Sequence, residues 1–186
     1  AVVHRDNRDA FETARADAPL LGELLVAGSE TLERRLEAQS LELDTFPSHR
    51  DDACIWLFSG GTTGHPKAVL QSHWSFAHTT AAYGQGVLGI TEDDVTISVP
   101  KLFFGYAMGT NLFFPFSVGA RSVLYPDKPT PERLFELIRA HRPTVLVNVP
   151  TMVNHMVSDP AAGEADLSSL RLATSAGEAL PVELYE

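Results

Sequence analysis

The stretch Ser59-Gly60-Gly61-Thr62-Thr63-Gly64-His65-Pro66-Lys67 follows an apolar run from Ala53 to Phe58 and gathers three glycines, three hydroxyls and one lysine. Glycine lets the backbone take positive φ and bring bare N–H groups up to an anion, the hydroxyls donate or ligate a metal, and the lysine adds a point charge. The expectation is a phosphate-gripping loop leaving a buried strand. A Gly/Thr-rich turn joining two strands would account for the glycines and Pro66, but not for Lys67 or the adjacent hydroxyls. A Walker loop is excluded by spacing: His65-Pro66 separate Gly64 from Lys67, and Ala68 rather than a hydroxyl follows the lysine.

The order hydroxyl, Gly, Gly, Thr, Thr, Gly, any residue, Pro, Lys resembles the signature loop of the adenylate-forming enzymes, which include acyl-CoA and aryl-CoA synthetases and the adenylation domains of peptide synthetases. Two positions depart from the common pattern, Gly60 standing for Ser and Ala68 for Gly. Neither removes Lys67 or the phosphate-binding backbone. Two later segments, Lys101-Leu102-Phe103-Phe104-Gly105-Tyr106-Ala107-Met108-Gly109 and Thr174-Ser175-Ala176-Gly177-Glu178-Ala179-Leu180-Pro181, resemble the benzoate-CoA ligase branch. The likeness runs from about Cys54 to the end of the chain.

The resemblance implies a mixed α/β fold of largely parallel sheets flanked by helices, part of the large N-terminal domain of such an enzyme. It implies an AMP-forming acid–thiol ligase using ATP, Mg²⁺ and coenzyme A on a small aromatic carboxylic acid. Ser59, Gly60, Gly61, Thr62, Thr63, Gly64 and Lys67 would hold the phosphates, with Thr63 and Lys67 assisting catalysis and Ser59 near the metal. Ala176, Gly177 and Glu178 would border adenine and ribose. Phe104, Gly105 and Tyr106 would wall the acid, with Gly105 leaving room for a flat ring, although an aromatic stripe continuing into Phe113 and Phe114 is also what a plain core contains. An enzyme that loads a carrier protein, or a non-catalytic nucleotide-binding module, fits the same loop. The family's metal-binding glutamate, ribose-binding aspartate and C-terminal lysine would lie beyond Glu186.

With 186 residues and 44% hydrophobic content, the chain can bury one sizeable core. A net charge of −10 argues against a nucleic-acid partner, and no apolar run approaches membrane-spanning length. The expected setting is cytoplasmic, and a homodimer is compatible with the sequence. The one cysteine, Cys54, reads as a buried inert thiol, and the seven histidines show no zinc spacing. Val2-Val3 resembles a strand already under way and Val182 to Glu186 a helix that stops, so the chain reads as an internal piece, inactive alone, without the C-terminal domain.

Short apolar runs alternate with helical patterns, as in a sheet covered by helices. Strands are expected at 21–27, 54–58, 68–71, 95–99, 122–125, 144–149 and 172–175, and helices at 9–18, 29–39, 74–84, 105–114, 131–141 and 151–157. Thr130-Pro131 is a cap and first-turn pair, and Leu134, Leu137 and Ile138 mark a buried stripe. The polar loop Leu43 to Asp52 divides a partial N-terminal segment, 1–50, from a nucleotide- and acyl-binding core, 51–186. Asp51-Asp52 and Asp93-Asp94 read as turn caps.

Overall fold

A computed structural model describes residues 1–60 and 64–185. They form two compact units that divide between Pro47 and Ser48. In the first unit, strand β1 (Val2–Val3) pairs in parallel with β2 (Leu25–Val26), and helices α1 (Arg8–Ala14) and α2 (Glu30–Glu37) follow the respective strands. The strand expected over 21–27 is short because only Val2 and Val3 supply ladder partners. Ser29 caps α2 by accepting from the Leu32 N–H at 3.3 Å.

The second unit opens with an antiparallel ribbon, β3 (Ala53–Ser59) and β4 (Lys67–Ser72), in which Ser59 stands opposite Lys67. Two sequence expectations fail here. β3 is not a buried strand: Trp56 and Phe58 are 61% and 71% exposed. Cys54 is exposed like Trp56 and Phe58 along β3, and stands at a bulge where the register slips between Ala53 and Ile55. The ribbon leads into α3 (His73–Thr79), which opens with a reciprocal capping box between Ser72 and Ser75.

Four parallel strands then form one sheet: β5 (Val95–Ser98), β6 (Arg121–Val123), β7 (Val145–Asn148) and β8 (Leu172–Ser175), in the order β6-β5-β7-β8. Alternation sorts their side chains. Ile97 and Leu146 face a core built with Leu134, Leu137 and Ile138 of α6 (Pro131–His141) and Met152 and Met156 of α7 (Pro150–Ser158). Val145 and Val147 face the opposite core with Phe114. That second layer is one helix in three turns of different pitch: α4 (Gly105–Met108), a π-helical stretch over Gly109–Phe113, and α5 (Phe114–Ser117). α3 likewise runs into a π-helical stretch, Thr80–Gln85. The Phe114 ring lies where any Cβ on Gly84 would sit, at 2.6 Å, so the stretch Thr80–Gln85 meets the helix bearing Phe114 closely only through glycine.

At the amino edge of this sheet Asp94, 2% exposed, is far more than a turn cap. Its carboxylate accepts from Arg171 Nε and Nη2 at 2.8 and 2.7 Å, from Thr144 Oγ1 at 2.6 Å and from the Thr91 N–H at 2.9 Å. The Arg171 hydrogen bond, ahead of the opposing desolvation and the Thr144 and Thr91 bonds, holds its pKa well below the carboxylate range. A depressed folded-state pKa contributes stability above the unfolded value of about 3.9, lost as pH falls through the folded one. Asp94→Ala is expected to cost about 2–4 kcal/mol in urea unfolding at neutral pH, since Arg171 and Thr144 lose a buried partner. The wild-type advantage over the variant should shrink below about pH 4. A pH-independent difference would show that packing, not charge, carries the effect.

Candidate functional site

Because β5, β7 and β8 are parallel, their carboxyl ends meet at one edge of the sheet. The segments leaving them line a cavity of 440 Å³: Val99 and Pro100 after β5, Val149 after β7, and Ala176 and Gly177 after β8, closed by Phe104 and Tyr106. The chain leaves β5 toward β6 by a helix on one face and leaves β7 toward β8 by a helix on the other, so the strand order reverses between β5 and β7. Ligands of open α/β sheets bind in the crevice outside such a reversal. Two of the residues expected beside adenine and two of those expected beside the acid, about 70 positions apart, therefore line one space.

A direct bond ties them. Tyr106 Oη and Thr174 Oγ1 lie 2.5 Å apart. Burial pushes the Tyr106 pKa above its ordinary value, against the opposing pull of the Thr174 hydrogen bond. The phenol is thus a neutral hydrogen-bonding group at physiological pH. Tyr106 also borders a second cavity, of 260 Å³, with Leu57, Gln71, Phe76 and Tyr83. The ring is a wall between the two.

Gly105 does not face the larger cavity. A Cβ there would meet Leu57 Cδ1 at 2.7 Å, so this glycine lets β3 approach the helix and borders the smaller cavity instead. Phe104 stacks at a tilt on Phe103, with centroids 4.5 Å apart. Of the stripe that continues along the helix, Phe114 is core and Phe113 packs on Phe76 at 4.6 Å. Gly177 has φ +93, a conformation that an L side chain rarely adopts, at the bend where the chain leaves β8 for the cavity rim.

Of the residues expected to hold phosphate, four are described along the β3–β4 ribbon and next to its strand ends. Ser59 ends β3, Lys67 begins β4 and is exposed, and Gly60 and Gly64 lie between them. Gly61, Thr62 and Thr63, together with the Ser59 side chain, lie outside the described residues, so the phosphate and metal roles expected of them rest on sequence. Among the described residues no group of three His, Cys, Asp or Glu side chains could hold a metal ion. Nor is any helix there long and apolar enough to cross a membrane.

Glu178 is held in place by a residue that sequence reasoning passed over: Thr151 Oγ1, in the first turn of α7, lies 3.0 and 3.2 Å from its two carboxylate oxygens. A carboxylate at a helix N-terminus is also favoured by the dipole. Thr174, Val149 and Pro100 were passed over as well. The signal available was position, since each lies in or just after the last turn of pleat of a parallel strand.

The AMP-binding enzyme family matches residues 3–186 of this chain. The benzoate–CoA ligase of Thauera aromatica is 39% identical over 187 residues, covering 99% of this chain and 36% of the relative. The 4-hydroxybenzoate–CoA/benzoate–CoA ligase of Rhodopseudomonas palustris is 38% identical, covering 94% and 33%. The crystal structure of an anthranilate CoA ligase in complex with anthranoyl-AMP superposes with a TM-score of 0.89 at 34% identity, over 99% of this chain and 36% of that one. The chain thus spans about a third of the length of the relatives it matches. With the family match running through nearly the whole sequence, the chain belongs to the AMP-binding enzyme family.

Proposed function

We propose that the protein carrying this chain activates an aromatic carboxylic acid with ATP and passes the acyl group to coenzyme A. A carboxylate is a poor electrophile. Attack of its oxygen on the α-phosphorus of ATP forms a carboxyl–phosphate bond, breaks the α–β bridge and releases pyrophosphate, and a thiol then displaces AMP. Such chemistry needs positioning and charge neutralisation more than a protein nucleophile. The observation that carries the reading is the 440 Å³ cavity at the strand ends, in which Phe104 and Tyr106 stand across from Ala176 and Gly177. An aromatic face and a glycine-containing turn around one space suit an acyl-adenylate, whose ring and nucleotide must lie on either side of one new bond. The names of the relatives, benzoate–CoA and hydroxybenzoate–CoA ligases, favour an aryl acid and CoA as acceptor.

Lys67, with the backbone of Gly60 to Gly64 and the hydroxyls of Thr62 and Thr63, would hold the β- and γ-phosphates. Mg²⁺ would lie near the Ser59 hydroxyl and neutralise phosphate charge, and the expected compartment is the cytoplasm. Pyrophosphate exchange by the whole protein across a panel of aryl and alkyl carboxylates tests the reaction, with exchange expected for benzoates. No exchange with any acid would remove the proposal.

Lys67→Ala should weaken ATP binding roughly 5- to 100-fold, the range of a charged hydrogen bond, as read by calorimetry on the whole protein. Equal affinity would take the loop out of the site. Tyr106→Phe, which leaves Thr174 without its partner, should change the KM for the acid about 2- to 10-fold and leave that for ATP unchanged. Tyr106→Ala should join the two cavities and favour bulkier acids over benzoate. An unaltered acid profile for both variants would return Tyr106 to the core.

A further inference from the structure

Beside the aromatic cavity lies a smaller one, of 210 Å³, that shares Pro100 with it and is lined also by Ser98, Lys101, Asn111 and Tyr125. Nearly all its polar atoms are spent. Asn111 Oδ1 accepts from Thr96 Oγ1 at 2.6 Å and its Nδ2 donates to the Val123 carbonyl at 3.3 Å. Ser98 Oγ donates to the Pro100 carbonyl at 2.8 Å, and Tyr125 Oη donates to the Ser98 carbonyl at 3.2 Å. Lys101 is the exception. Its ammonium donates to the Tyr125 carbonyl at 2.9 Å and sits 3.5 Å from the centroid of the Tyr125 ring. That leaves one N–H directed to neither.

No carboxylate lies within ion-pairing distance of Lys101 among the described residues, in a chain of net charge −10. The acid whose charge it feels, Asp127, is engaged by Arg133 Nε at 3.1 Å. Partly buried charges are ordinarily paired. A ring face and one carbonyl answer part of that need, and an anion would answer the rest.

We propose that this cavity is a subsite for a single small oxyanion, a phosphate or carboxylate group, held by Lys101. Its volume admits such a group and not a nucleoside. The shared Pro100 wall makes the anion part of, or neighbour to, whatever occupies the aromatic cavity. Two sources have this chemistry: a phosphate of the acyl acceptor, and a second carboxylate on the aromatic acid. Only this choice of source rests on the proposed function.

The test uses the whole protein with its lysines ¹³C-labelled at Cε, which leaves every ammonium N–H in place, titrated with inorganic phosphate and with chloride at matched ionic strength. The Lys101 resonance is identified by its loss in Lys101→Met. It should shift saturably with phosphate and not with chloride, while exposed Lys128 responds alike to both. Lys101→Met keeps the stem over Tyr125, Lys101→Arg restores the charge, and urea midpoints report whether either variant is misfolded. In kinetics, Lys101→Met should raise one KM about tenfold or more, reversed in part by Arg. A rise for coenzyme A assigns the phosphate source, and a rise for carboxylated benzoates with unsubstituted benzoate unchanged assigns the carboxylate source. A Lys101 resonance that moves with phosphate no more than with chloride overturns the subsite. Absence of pyrophosphate exchange in the wild type would remove the proposed function and leave the phosphate titration standing.

Discussion

One carboxylate sets the frame on which the candidate site is built. Asp94 precedes β5, Thr144 precedes β7 and Arg171 precedes β8, so the bonds of Asp94 to the other two pin three strands at their amino ends. Arg171 extends the clamp to the carbonyls of Leu88 and Gly89. Parallel strands pinned level at one edge, with ladders such as Thr96 opposite Val145 and Val145 opposite Leu172, must emerge level at the other. That levelling brings Pro100, Val149 and Gly177 around one cavity. The Asp94 clamp and the candidate site thereby lie at opposite edges of a single sheet.

A second constraint sets the remaining wall. Apolar contact is non-directional, so Phe114, Tyr106 and Phe113 would not by themselves fix the rotation of their helix on the sheet. Asn111 does so. It lies on the π-helical stretch, is buried, and bonds to Thr96 on β5 and to the carbonyl of Val123 on β6, while Thr96 also meets Ser122 at 3.0 Å. Rotating the helix would leave these groups unpaired in a low-dielectric interior, at about 1–3 kcal/mol each. The widened turn changes the helical phase between Tyr106 and Phe114, so that Phe114 enters the core while Tyr106 reaches Thr174 across the cavity.

Features encoded by neighbouring residues were legible in the sequence. α6 spans the expected Pro131–His141 because its cap, first-turn proline and apolar stripe are all local, and β8 spans the expected Leu172–Ser175. Pairings between distant residues were not. Asp94 looked like a turn cap because its Thr91 bond is local, whereas Arg171 stands 77 positions away. Nor do the aromatic neighbours of Gly105 announce the approach of Leu57 to it from a different sheet. The exposure of Cys54 goes with that of Trp56 and Phe58 along β3, which a run of apolar residues does not announce.

The approach of Leu57 gives the ribbon a part in the site even though its faces are largely open. β3 ends at Ser59 and β4 begins at Lys67, so the loop is carried by a ribbon whose Leu57 touches the first residue of the helix bearing Tyr106. A side chain at position 105 would push against the end of that leucine, which would have to turn aside to admit it. A small residue there lets ribbon and helix meet closely. That contact joins the ribbon expected to hold phosphate to the helix whose Tyr106 is expected to wall the acid.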